Sequence, residues 1–166
     1  MSIAGAADPF PGRFRFVVAG GLVAGTLDLA YICTLVHVLH GLGPVWILQS
    51  VAAGWFGRDA AFAGGASAAL LGAATHYGIA IVMATVYALG AKQLPSLARR
   101  PFLYGPLYGI ALYLVMTFIV VPLSAAATGK PWQWHWTQLA HLGAHMFLVG
   151  LPCALAARRA LRGRSG

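Results

Sequence analysis

The sequence predicts an all-α integral membrane protein: a four-helix bundle with both termini cytoplasmic and a short extracytoplasmic interfacial helix. Three observations carry this. Of 166 residues, 60% are hydrophobic and only 8% charged, far from the balance of a soluble domain. Four runs, about 16–39, 65–90, 102–124 and 137–157, are each apolar over roughly the 20 residues needed to cross a hydrocarbon core. Finally, the basic residues gather at the ends of these runs. Arg13, Arg15, Lys92, Arg99, Arg100, Arg158, Arg159, Arg162 and Arg164 flank one membrane face, whereas only Arg58 and Lys130 lie on the other. That asymmetry is the positive-inside signature and places the first group in the cytoplasm. A single transmembrane domain accounts for the whole chain.

Residues Met1–Gly12 carry glycine, alanine and two prolines around Asp8 and read as a short cytoplasmic tail. The first run, Phe16 to Leu39, follows two arginines as a signal peptide would. It is too long for one and contains Asp28, so a retained first helix is expected. Its small residues step by four through Gly20, Ala24 and Asp28, with Gly21 and Gly25 beside them, which puts the aspartate on a close-packing face. After His40, Pro44 opens a stretch to about 56 in which Ile47, Leu48, Val51, Ala52 and Trp55 share one side. Gln49, Gly54, Gly57 and Arg58 interrupt it, so the pattern predicts an amphipathic helix in the interface instead of a fifth span. Arg58 and Asp59 border a turn.

The second span holds the most regular pattern in the chain. Gly64, Ala68, Gly72, His76, Ala80, Ala84 and Ala88 form one four-step ridge along which another backbone can approach, and His76 is its only polar break. A basic connector with two prolines, KQLPSLARRP, separates it from the third span. There Gly105, Gly109, Tyr113 and Thr117 form a further ridge, and Pro106 is tolerable in the first turns. The connection to the fourth span alternates Trp132, Trp134 and Trp136 with Gln133 and His135. With Trp46 and Trp55 it brings all five tryptophans to the same face, as an interfacial aromatic belt would. A competing reading makes this face a binding lip for a lipid headgroup or quinone, formed by Arg58, Asp59, Lys130, Trp132, Trp134, His135 and Trp136.

The composition also excludes function classes. The only acids are Asp8, Asp28 and Asp59, so paired-carboxylate catalysis and an all-carboxylate metal site have no material. No nucleophile constellation is present, no catalytic residue is assigned and a non-enzymatic protein is expected. A net charge of +8 would suggest nucleic acid in a soluble chain; here it is topological, and the expected partner is the lipid bilayer. Cys33 and Cys153 fall near opposite faces and read as separate buried thiols.

Counted at ~1.5 Å per residue from the outer ends, Asp28, His76 and His145 each lie about 13–15 Å deep, with Tyr113 and Thr117 bracketing the same level. These five residues form the predicted polar core. A carboxylate beside imidazoles in a low-dielectric interior suits proton handling. A structural polar knot that fixes helix pairing is the plainer alternative. A third reading uses His76, His141, His145 and Asp28 as metal ligands, the first two histidines of the last span being one turn apart, or histidines on two helices as haem ligands. The residues alone fix no cofactor.

The segments AGTLDLAY, ALLGAATHYGIAIVMATVYAL, YGPLYGIALYLVMTFIVVPLSA and HMFLVGLP resemble a family of small uncharacterised bacterial inner-membrane proteins. There is a looser similarity to the DUF1440-type membrane family, which is associated by name with acid resistance. The resemblance implies a bacterial multi-pass inner-membrane protein, and its acid-resistance association ranks proton or stress-related roles above haem. It transfers no site residues. Four short helices are few for a complete transporter, so a homo-oligomer or a place in a larger membrane complex is expected, docked through the Gly/Ala ridges.

Overall fold

The computed structural model describes residues 13–127, 129 and 133–162. The expected cytoplasmic tail Met1–Gly12, together with Lys130, Trp132 and Arg164, lies outside the described residues. Among those described, every regular element is helical. Four helices are long and apolar enough to span a membrane: Phe14–His40, Gly65–Gln93, Pro101–Leu123 and Thr137–Leu161.

Helix α1 (Phe14–His40) ends on Gly41, whose left-handed backbone (φ 69°) lets its N–H cap the carbonyl of His37. Helix α2 (Pro44–Phe56) has proline in its first turn, and α3 (Arg58–Ala63) follows after Gly57 (φ 86°). The second span is α4 (Gly65–Gln93). A short α5 (Pro95–Arg99) leads into the third span, which comprises α6 (Pro101–Val115), a π-helical segment (Met116–Val120) and α7 (Val121–Leu123). The fourth span is built likewise from α8 (Thr137–Ala144), a second π segment (His145–Gly150) and α9 (Leu151–Leu161).

The fold depends on which small residues meet which backbone. In lipid the tails are as apolar as leucine, so helices associate through close packing and hydrogen bonds, not through hydrophobic exclusion. Helix α1 sits between α4 and α9 because its two glycine rows point in different directions. A Cβ on Gly20 would strike Ala156 of α9, whereas one on Gly21 would strike the backbone of Ile81 in α4. The third span packs on the fourth in the same way. Gly105 abuts Leu151, Gly109 abuts His145 and Met146, and Gly150 faces the Gly105 carbonyl and the Gly109 backbone. The ridge of α4 is divided between partners. Its first part, Ala68 and Gly72, packs on α2, with Gly72 against the Leu48 carbonyl; farther along, Ala80 meets Gly21 and Gly25 of α1, and Ala84 and Ala88 pack in the main core with Val17, Ala24, Val149 and Cys153.

Helix α2 occupies the expected residues but is more than a surface helix. Ile47, Gln49, Ala52 and Ala53 are buried, Gln49 Nε2 donates to the Gly65 carbonyl at 3.1 Å, and Trp55 Nε1 donates to Thr75 Oγ1 at 2.9 Å. Of the side chains expected to share its apolar face, Trp55 remains 64% exposed, so only its indole N–H is anchored. The connection after the third span ties back to the same helix: Ala125 N–H donates to the Gly54 carbonyl. Large apolar side chains on the outside of all four spans, such as Leu22, Leu70, Phe102 and Phe147, are exposed, as helices bathed in lipid require.

Two phenolic hydroxyls hold the inner half together. Tyr108 donates to the Met83 carbonyl at 2.9 Å and Tyr87 to the Leu97 carbonyl at 3.0 Å, their rings meeting edge-on at 5.0 Å. Cys33 and Cys153 are both free thiols.

The Gly150 contact gives a stability test. Gly150→Ala inserts a methyl into a backbone crossing and is expected to cost about 1–3 kcal/mol of unfolding free energy in mild detergent. Gly78→Ala, where nothing lies within 4 Å of the added atom, is expected to leave stability unchanged or raise it by up to ~1 kcal/mol through helix propensity.

Candidate functional site

All four spans and α2 line a small cavity of about 110 Å³ in the bundle. Asp28 of α1, His76 of α4 and His145 at the start of the fourth span's π segment all line it, with Val51 of α2 and Met116 of the third span among the apolar walls. Each of the three titratable side chains is half-buried.

Each position follows from the local sequence. Asp28 continues the small-residue face of α1, one turn beyond Ala24, which is buried in the core. His76 takes the gap in the ridge of α4 between Gly72 and Ala80. Its Nε2–H donates to the Gly25 carbonyl of α1 at 2.8 Å, so the imidazole closes the α1–α4 contact. His145 Nδ1–H donates to the His141 carbonyl one turn earlier at 2.9 Å. Since a carbonyl can only accept, these bonds assign the proton to Nε2 of His76 and to Nδ1 of His145. The other ring nitrogen of each neutral histidine is an acceptor.

The π segments are a feature that the sequence reading does not contain. Both end two residues before a proline, Pro122 in one span and Pro152 in the other. A proline within a helix lacks the N–H for its i−4 carbonyl and crowds that carbonyl, and a widened turn relieves the clash. Proline inside an otherwise apolar span was the available signal. Met116 and His145 begin the two widened segments, and both line the cavity.

Of the five residues of the predicted polar core, Asp28, His76 and His145 line the one cavity, and they are not knotted together. Among the described residues no hydrogen bond joins Asp28, His76 and His145 to one another; the imidazoles satisfy backbone carbonyls instead. Tyr113 is buried, its ring edge-on to His145 at 5.7 Å, but its hydroxyl donates to Gln138 Oε1 at 2.7 Å. Thr117, half-buried in the third span's π segment, does not line the cavity.

The metal expectation is corrected. Among the described residues no group of three or more His, Cys, Asp and Glu side chains could hold a metal ion, so His76, His141, His145 and Asp28 do not form a ligand set. His141 is drawn away from such a set by Tyr31, whose hydroxyl lies 3.3 Å from Nδ1 and whose ring meets the imidazole edge-on at 5.8 Å. Haem does not fit either: ligand-sized pockets run to about 300–1,000 Å³, well above the 110 Å³ available.

The outer lip is only partly described. Arg58, Asp59, Trp134, His135 and Trp136 are exposed, while Lys130 and Trp132 lie outside the described residues. Arg58 Cζ lies 5.4 Å from the ring centroid of Phe62, which stacks on Trp46 at 5.4 Å, so Arg58 and Trp46 brace α3 on the start of α2. Both connections put exposed indoles outside the spans, consistent with an aromatic belt.

No protein-family model, curated protein or solved structure matches this chain.

Tyr113→Phe removes the bond to Gln138 while keeping the ring on His145. It is expected to lower unfolding free energy in detergent by about 0.6 kcal/mol, and by no more than ~1.7 kcal/mol, the range of interhelical hydrogen bonds in membranes.

Proposed function

We propose that this is a bacterial inner-membrane protein with both termini in the cytoplasm that handles protons through the Asp28/His76/His145 cavity. The observation that carries the reading is that three spans each bring a titratable side chain to the wall of one cavity. At about 30 Å³ per molecule, a cavity of about 110 Å³ has room for a few waters bridging these groups. Asp28 supplies an acid, and His76 Nδ1 and His145 Nε2 supply acceptors, so a proton can pass between them through water without moving a helix. An acid-stress role is the physiological setting this chemistry suits, and the resemblance to an acid-resistance-associated family agrees with it.

The orientation rests on the basic-residue asymmetry, nine positions against two. Because the Gly/Ala ridges are largely used within the chain, a second copy or larger complex would dock on the lipid side of the third span, where Leu107, Leu114 and Phe118 are exposed. Reporter fusions test the topology: fusions after Arg162 are expected to be active only for a cytoplasmic reporter, and fusions in the Gly57–Asp59 turn only for a periplasmic one.

A structural pin is the second reading, favoured by the bond from His76 to the Gly25 carbonyl at the tight α1–α4 contact. Reconstituted vesicles with an interior pH dye separate the two. Proton handling predicts a flux that Asp28→Asn and His145→Gln abolish while melting temperatures stay near wild type. A wild-type flux no greater than that of empty vesicles, with His76→Ala changing stability alone, overturns proton handling in favour of the pin.

A further inference from the structure

At the basic end of the bundle, α9 separates two recesses. One, of about 620 Å³, lies against the ends of α4 and α5 and is bordered by Lys92, Arg99, Arg158 and Arg162. The other, of about 480 Å³, is a groove between α1 and α9. Phe16, Val23, Leu27 and Leu155 give it apolar walls, and Arg158, Arg159 and Arg162 form its rim. Arg158 and Arg162 therefore border both spaces.

Two physical facts select the occupant. The first is charge. Among the described residues no acidic side chain lines either recess: Asp28 lies at the polar cavity and Asp59 in α3. Like charges concentrated at the edge of a low-dielectric medium favour an anion between them, and guanidinium forks suit phosphate oxygens. Arg15 adds to the same end, its Cζ lying 5.1 Å from the centroid of the Phe16 ring. The second is length. From Phe16 to Leu27 the groove wall covers about 16 Å of helix at a rise of ~1.5 Å per residue, close to one leaflet's half of a hydrocarbon core about 30 Å thick.

We propose that this chain holds one anionic glycerophospholipid of the adjacent leaflet. Its phosphate bridges Arg158 and Arg162, one acyl chain lies along the α1–α9 groove, and the headgroup extends toward Arg99. The lipid would fasten the start of α1 to the end of α9 at this one end of the bundle.

Full-length protein purified in mild detergent is given equal amounts of dioleoylphosphatidylglycerol and dioleoylphosphatidylcholine and examined by native mass spectrometry. One phosphatidylglycerol per chain is expected to be retained with a preference of about tenfold, which excess ammonium phosphate does not displace. The double substitution Arg158→Gln with Arg162→Gln is expected to bring the two lipids to parity. Ala19→Phe, which fills the groove and keeps every cation, is expected to reduce phosphatidylglycerol retention several-fold, while Arg58→Gln at the far end changes nothing. Equal retention of both lipids by the wild type, displacement by free phosphate, or full retention in Ala19→Phe overturns the proposal. Because Ala19 faces outward, that variant remains a test even where the double arginine substitution fails to fold.

Discussion

Close backbone approach is the constraint on which this structure depends. A bilayer offers its helices no hydrophobic reward for meeting, so association has to come from packing and polar contacts at short range. The chain supplies glycine and alanine where backbones cross: Gly20 and Gly21 let α1 touch two neighbours at once, and Gly105, Gly109 and Gly150 let the last two spans meet main chain to main chain. With so much of the interior made of alanine, few large side chains are fully buried, and Val17, Pro101 and Cys153 are the largest. The large apolar residues go outward to lipid instead.

Tight packing shapes the polar chemistry. Imidazoles and phenols that enter the interior find main-chain carbonyls before they find each other, as His76 does at Gly25, His145 at His141 and Tyr108 at Met83. An unpaired polar group in hydrocarbon is costly, and helix carbonyls accept a second bond readily. The outcome is two imidazoles that are each satisfied by a carbonyl yet border one cavity. Such an arrangement leaves one ring nitrogen of each cavity histidine available, which direct carboxylate–imidazole pairing would consume.

Proline gives that cavity its local geometry. In both of the last two spans the widened turn precedes a proline, and the cavity lies where Met116 and His145 open those turns. The same spans run in opposite directions through the membrane, so two similar local distortions arrive at a common level. At the basic end the lining differs: Arg158 and Arg162 border two recesses, and among the described residues no acidic side chain joins them there.

The sequence by itself determined the number, extent and helical nature of the spans, because length and hydropathy are additive along a chain and need no partner. It also put Asp28, His76 and His145 at a similar distance along their helices, since helical rise is fixed, and the three line one cavity. It could not determine rotation. Whether His141 joins His145 or turns to Tyr31, and whether the Tyr113 hydroxyl goes to a histidine or to Gln138, depends on which faces of two helices meet, a difference of a fraction of a turn. It also could not show that the single ridge of α4 serves two partners, or that α2 packs into the outer half of the bundle, because a four-step pattern marks a packing face without naming what covers it. Only the tertiary structure decided those pairings: helix contacts are set by the joint fit of all the faces, and no one face contains that information.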